Sequence, residues 1–96
     1  MPGRRRCRRV GIPPPFTSFR PEGPDMPDKG EMILSVDEYE AVRLKDLEGL
    51  DQTECAAMME ISQPTFHRLV VSARRKIADA LTHGKSIRID GGNYRF

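Results

Sequence analysis

Residues 61–77 read ISQPTFHRLVVSARRKI, in which Gln63, Thr65, His67 and Arg68 are followed further along by Arg74, Arg75 and Lys76. These side chains supply hydrogen-bond donors and positive charge. An arginine can take a guanine edge bidentately and a glutamine an adenine edge, whereas consecutive bases suit phosphate oxygens. Arg4, Arg5, Arg6, Arg8 and Arg9 form a second cluster of the same chemistry near the start of the sequence. Both clusters suit a polyanionic partner.

Other chemistries find less support. Cys7 and Cys55 lie far apart and form neither a CxxC pair nor a disulfide framework. His67 and His83 complete no metal-ligand spacing, and no Cys, Ser or carboxylate is spaced to make His67 a catalytic base. The expectation is a chain that is not an enzyme and needs no cofactor or metal. Cys55 reads as a small core residue, and Cys7, set among arginines, as a candidate for redox reactivity. There is no run of about 18 apolar residues and no apolar segment behind the basic start, so neither a membrane span nor a secretory signal is expected. A reduced cytoplasmic setting follows as the default.

With 96 residues the chain has room for one small domain and its appendages, but not for a large enclosed substrate cavity. Its net charge of +2 hides an asymmetry. Residues 1–19 carry five arginines and no acid, residues 20–60 four bases and twelve acids, and residues 61–96 seven bases and two acids. Two basic ends flank an acidic middle. Solvated surface charge is the plainer reading of each cluster taken alone.

The elements that must position these side chains can be read from caps and periodicity. The opening MPGRRRCRRVG is too densely charged for a core element and reads as a mobile arm, and six prolines within residues 11–30 favour extended chain, so residues 1–34 read as a basic and Pro-rich N-terminal arm. Phe16 and Phe19 are candidates to pin it, and Met32 to Leu34 could form a short strand. Ser35 and Glu38 fit a capping box, which predicts a helix to about Leu47 ended by Gly49, although its apolar positions do not share one face. Asp51 and Glu54 repeat the cap, and a tight turn around Glu60 and Ile61 leads to the next cap at Ser62.

From Ser62, helical periodicity places Phe66, Leu69, Val70, Ala73, Ile77, Ala80 and Leu81 on a core-facing arc. Thr65, Arg68, Ser72 and Arg75 face outward, with His67 and Arg74 on one flank and Lys76 on the other; Val71 points out among them. Two closely joined helices make a helix-turn-helix pattern within residues 35–83. In that pattern the leading turn of the second helix, here residues 62–82, approaches base edges in the major groove. Residues 84–96 alternate apolar and polar residues around Gly91-Gly92 and read as a β-hairpin, with Ile89 facing Tyr94, Ile87 facing Phe96 and Arg88 facing Arg95.

The stretch EGLDQTECAAMMEISQPTFHRLVVSARRKI resembles the region 4 module of bacterial sigma factors. More closely, the chain is similar to a family of small prokaryotic predicted DNA-binding proteins, domain of unknown function 134. RRRCRRVG, LSVDEYEAVRLKDLEGL, SARRKIADAL and GKSIRIDGGNYRF carry that similarity over nearly the whole chain. The resemblance implies a mainly α fold: a three-helix, sigma-region-4-like helix-turn-helix, here with the extended N-terminal arm and C-terminal hairpin. It also implies a transcriptional role, with Ser62, Gln63, Thr65, Phe66, His67 and Arg68 where the recognition helix begins. One departure is Glu60, where such turns usually have Gly; a left-handed backbone there would cost Glu about 1 kcal/mol. Pro64 is another.

The expected function is sequence-specific binding of double-stranded DNA, with the basic arm on phosphates or in the minor groove. The alternative is a protein-interaction module docking on RNA polymerase or another regulator through the acidic middle. The hairpin and Val71 hint at a homodimer. RNA is less suited, because the helix lacks an exposed aromatic platform.

Overall fold

A computed structural model of the chain describes residues 7–23 and 29–96. Three helices form its centre: α1 (Val36–Val42), α2 (Gln52–Met59) and α3 (Gln63–His83). Each starts at the cap its sequence dictates. Ser35 and Asp51 both accept from the third helical amide, while Glu38 and Glu54 reach back to the cap amides, closing two reciprocal capping boxes. Ser62 Oγ accepts from the Thr65 amide, and Pro64 sits in the first turn of α3.

The first helical segment does reach Leu47, but not as a regular α-helix. Arg43–Leu47 is a π-helical stretch, with the Glu48 amide donating to the Arg43 carbonyl at 2.9 Å, five residues back. This explains why its apolar positions share no single α-helical face. The wider turn buries Leu44 and leaves Leu47 77% exposed.

Between α2 and α3 the chain turns in three residues. Glu60 is left-handed (φ 59°, ψ 45°), and the Ile61 amide donates to the Ala56 carbonyl at 3.0 Å while the Glu60 amide donates to Ala57 at 3.1 Å. This is the Schellman pattern. Ile61 then packs against a core of Ala41, Leu44, Cys55, Ala56, Met59, Phe66 and Val70. A second core of Val10, Leu34, Val36, Ala73 and Ile89 lies between helix and sheet.

The strands differ from the expected hairpin. β1 (Arg8–Arg9) pairs parallel with β5 (Tyr94–Arg95), and β4 (Ser86–Ile89) lies between β2 (Ser18–Phe19), antiparallel, and β3 (Glu31–Leu34), parallel. Ile87 therefore faces Phe19 and Met32, Ile89 faces Leu34, and Tyr94 faces Arg8. The Gly91-Gly92 bend does form, with φ of 73° and 105°, but it carries the chain over the start of α1, where Gly91 accepts from the Val36 amide at 3.0 Å. A Cβ on Gly92 would stand 2.4 Å from Asp37 Oδ1, so only glycine fits this crossing. Pairing β4 with two strands buries more of Ile87 and Ile89 than a lone hairpin could.

The basic start is likewise not all a mobile arm. Arg8 and Arg9 are strand residues, and Val10, 1% exposed, anchors them in the second core. Phe16 is exposed and pins nothing, whereas Phe19 borders an apolar groove with Leu34, Tyr39, Val42, Leu47, Ile77 and Ile87. Arg4, Arg5 and Arg6 lie outside the described residues. Leu81, expected in the core arc, is 76% exposed, and none of the described residues buries it.

Candidate nucleic-acid interface

The leading turn of α3 is organised by its own cap. Ser62 Oγ accepts from the Thr65 amide at 3.2 Å and donates to Thr65 Oγ1 at 2.9 Å; Arg68 Nη2 donates to the same Thr65 oxygen at 3.3 Å. The chain from Ser62 through Thr65 to Arg68 holds the guanidinium towards the helix start and leaves its other donors available. Behind it, Gln52 Nε2 donates to the Gln63 carbonyl at 3.3 Å, which fixes α2 against the start of α3 and leaves the Gln63 side chain exposed.

Along the outer face, His67, Arg68, Val71, Ser72, Arg75 and Lys76 line one shallow groove. His67, Arg68 and Arg75 are exposed, and Val71 is 37% exposed, as the periodicity expects. Neither Arg68 nor Arg75 forms an ion pair among the described residues. This face carries unneutralised positive charge.

Other expected contact residues have different positions. Phe66 is fully buried in the first core, so it supports the helix and cannot meet a base edge. Ser72 and Lys76 turn back to α1: Ser72 Oγ donates to Glu38 Oε2 at 2.5 Å and Lys76 Nζ to Glu38 Oε1 at 2.8 Å. Arg74 is held bidentately by Asp46, at 3.0 and 2.6 Å. Arg8 pairs with Asp37 at 3.0 Å. Lys76, Arg74 and Arg8 are thus largely neutralised within the fold.

The acidic middle explains this. Asp37, Glu38 and Glu40 are buried and receive Arg8, Lys76 and Arg43, respectively. Glu40 takes Arg43 at 2.8 and 2.9 Å and also accepts the Gly11 amide at 2.9 Å, clamping the N-terminal segment onto α1. Burial alone would raise the Glu38 carboxyl, but hydrogen bonds from Lys76, Ser72 and the Ser35 backbone outweigh it and hold its pKa below the ordinary value. Hydrogen bonding from Arg74 lowers Asp46 in the same way. Asp37, Glu38 and Glu40 are internal struts, and Asp46 pairs with Arg74 at the surface.

Sequence reasoning also missed Glu60 and Arg95. The Arg95 guanidinium bonds the Glu60 carboxylate, fastening β5 to the turn before α3. The acidic residue at a turn position where Gly is expected was the available signal. Cys55 is fully buried, and desolvation raises its thiol pKa; Cys7 is exposed. No group of three or more metal-ligating side chains occurs among the described residues, and no described helix is long and apolar enough to cross a membrane.

The fold and this face define a mainly helical protein with a compact helix pair and a basic outer surface. The family model described as "Protein of unknown function DUF134" matches residues 1–96, and the chain belongs to that family. It is 57% identical over 95 residues to a UPF0251 protein of Thermoanaerobacter pseudethanolicus, covering 99% of this chain and 80% of that one. A UPF0251 protein of Pelotomaculum thermopropionicum is 52% identical over 95 residues, covering 99% and 72%. One of Moorella thermoacetica is 52% identical over 88 residues, covering 92% and 59%. No solved structure matches.

Proposed function

We propose that the protein binds double-stranded DNA sequence-specifically and acts as a transcriptional regulator in the cytoplasm. In this reading α2 and α3 are a helix-turn-helix of the sigma region 4 kind, with the leading turns of α3 in the major groove. The observation that carries it is the cap-oriented Arg68 beside exposed Gln63, His67 and Arg75, on a face whose nearby acids are already engaged by other bases. Gln63 and Arg68 read bases, Arg75 holds phosphate, and Val71 can touch a thymine methyl. Arg9 and the arginines at 4, 5 and 6 add phosphate or minor-groove contacts.

The test is retention of sheared genomic DNA by purified protein at about 0.15 M salt, where nonspecific contacts are already weakened, followed by sequencing. Enrichment of a short motif by the wild type and its loss in Arg68→Ala is the expected result. Uniform retention by both proteins would contradict base reading by Arg68.

A second reading, docking on RNA polymerase, another regulator or a second copy of the chain, is favoured by the apolar groove bordered by Phe19, Tyr39, Leu47 and Ile77. It predicts a stable complex that survives nuclease treatment, with only weak and unselective DNA affinity.

A further inference from the structure

The parallel β1 and β5 ribbon sets Arg9 in register with Arg95, so the two side chains leave the same face of the ribbon. Like charges placed side by side repel, and such a pair persists where an anion offsets it. Glu60 supplies that anion for Arg95, while Arg9 has no ion-pair partner among the described residues. Glu60 is also the left-handed residue of the turn, two positions before the Ser62 cap of α3. The Arg95–Glu60 pair therefore lies in the turn that leads into the end of α3 carrying Gln63 and Arg68, and Arg9 shares its face of the ribbon.

We propose that Arg9 and Arg95 form a backbone-phosphate site flanking α3, and that Glu60 occupies Arg95 in the free protein and yields it to a phosphate when duplex DNA binds. The inference rests on the DNA-binding reading above and adds to it a residue pair and a built-in competitor. The exchange is chemically even, since a guanidinium fork accepts carboxylate and phosphate oxygens with the same bidentate geometry. Arg95 and Glu60 are each about half exposed, so the carboxylate can withdraw into water without burying a charge. A phosphate there would also meet the positive end of the α3 dipole.

The two sides of the exchange give opposite effects. Glu60→Gln removes the competing charge and should raise duplex affinity severalfold for all sequences alike. Arg95→Gln and Arg9→Gln should each weaken binding without changing base preference, and each should make the slope of log affinity against log salt shallower by about 0.9, the value for one phosphate contact. The experiment is a salt titration of duplex binding by the wild type and the three variants, each first shown to melt cooperatively, with a matched and a scrambled duplex.

If the wild type binds but Arg9→Gln and Arg95→Gln leave its slope unchanged, the phosphate site is overturned and the DNA-binding reading stands. Loss of base preference in Arg95→Gln at an unchanged slope would make the Glu60 pair a strut for the turn alone and would also overturn it. Failure of the wild type to bind either duplex removes both readings.

Discussion

Glu38 Oε1 accepts Lys76 Nζ at 2.8 Å across the interface of α1 and α3, while Oε2 of the same carboxylate takes the Ser72 hydroxyl. A single buried group thus fixes the recognition-helix candidate against the first helix and also closes the α1 cap.

This relationship gives the protein an acid limit. Hydrogen bonds that exist only in the folded chain hold the Glu38 and Asp46 carboxyls below their ordinary pKa, so their contribution is complete above the usual carboxylate range. It is lost as pH falls through the lowered folded values. Glu38→Gln should cost about 1–3 kcal/mol at neutral pH and flatten the loss of melting temperature between about pH 5 and pH 3. Thermal melts of both proteins across that range check it; parallel curves would assign the acid limit to other groups.

The π-helical stretch predicts unequal effects from two nearby leucines. In a regular helix Leu44 and Leu47 would share a face; here one is buried and the other exposed. Leu44→Ala should cost about 3–5 kcal/mol and Leu47→Ala under about 0.5 kcal/mol by denaturant unfolding. Similar costs for both would contradict the widened turn.

Glu60→Gly tests the turn itself. Glycine relieves a left-handed backbone by about 1 kcal/mol, and the exposed pair it removes contributes about 0–1 kcal/mol. The melt should therefore move little, within about 1 kcal/mol of the wild type. A loss beyond about 2 kcal/mol would show that the Arg95 contact is far stronger than an exposed ion pair.

Arg74 and Arg75 are adjacent in sequence and differ in their partners. On the proposed DNA-binding reading, Arg75→Ala should make the salt slope of duplex binding shallower by about 0.9, whereas Arg74→Ala should change it by less than half as much because Asp46 already neutralises that charge. Duplex titrations from low to moderate salt distinguish them, and equal changes would mean that Asp46 releases Arg74 to DNA.

The cysteines divide by access. Cys7 should react with a thiol reagent within the mixing time of a slow assay, and Cys55, buried and with a raised pKa, only on unfolding. Prompt modification of two thiols per chain under native conditions would place Cys55 nearer solvent than the first core allows.

Much of the helical frame was legible because caps and turns are local. Ser35, Asp51 and Ser62 each start a helix, Gly49 and Gly84 take left-handed conformations, and Phe66, Val70 and Ala73 face the core. Strands were legible in place, at Met32 to Leu34 and at both sides of Gly91-Gly92, but not in pairing, because parallel partners are distant in sequence and Gly91-Gly92 carries the signal of a hairpin whichever strand follows. Helical spacing likewise finds the outer face of α3 but not what reaches it. Asp46 arrives at Arg74 through a π-helical turn, and Glu38 at Lys76 from another helix; neither distance is written in the periodicity of α3.

The pairing of Arg8 with Tyr94 also orders events during synthesis. The three helices can assemble from neighbours in the chain, but β1 leaves the ribosome long before the strand that completes it, and Val10 has no finished core until then. Closing so long a loop has an entropic cost that later contacts must offset. During synthesis β1 is therefore without its strand partner until Tyr94 and Arg95 have been made.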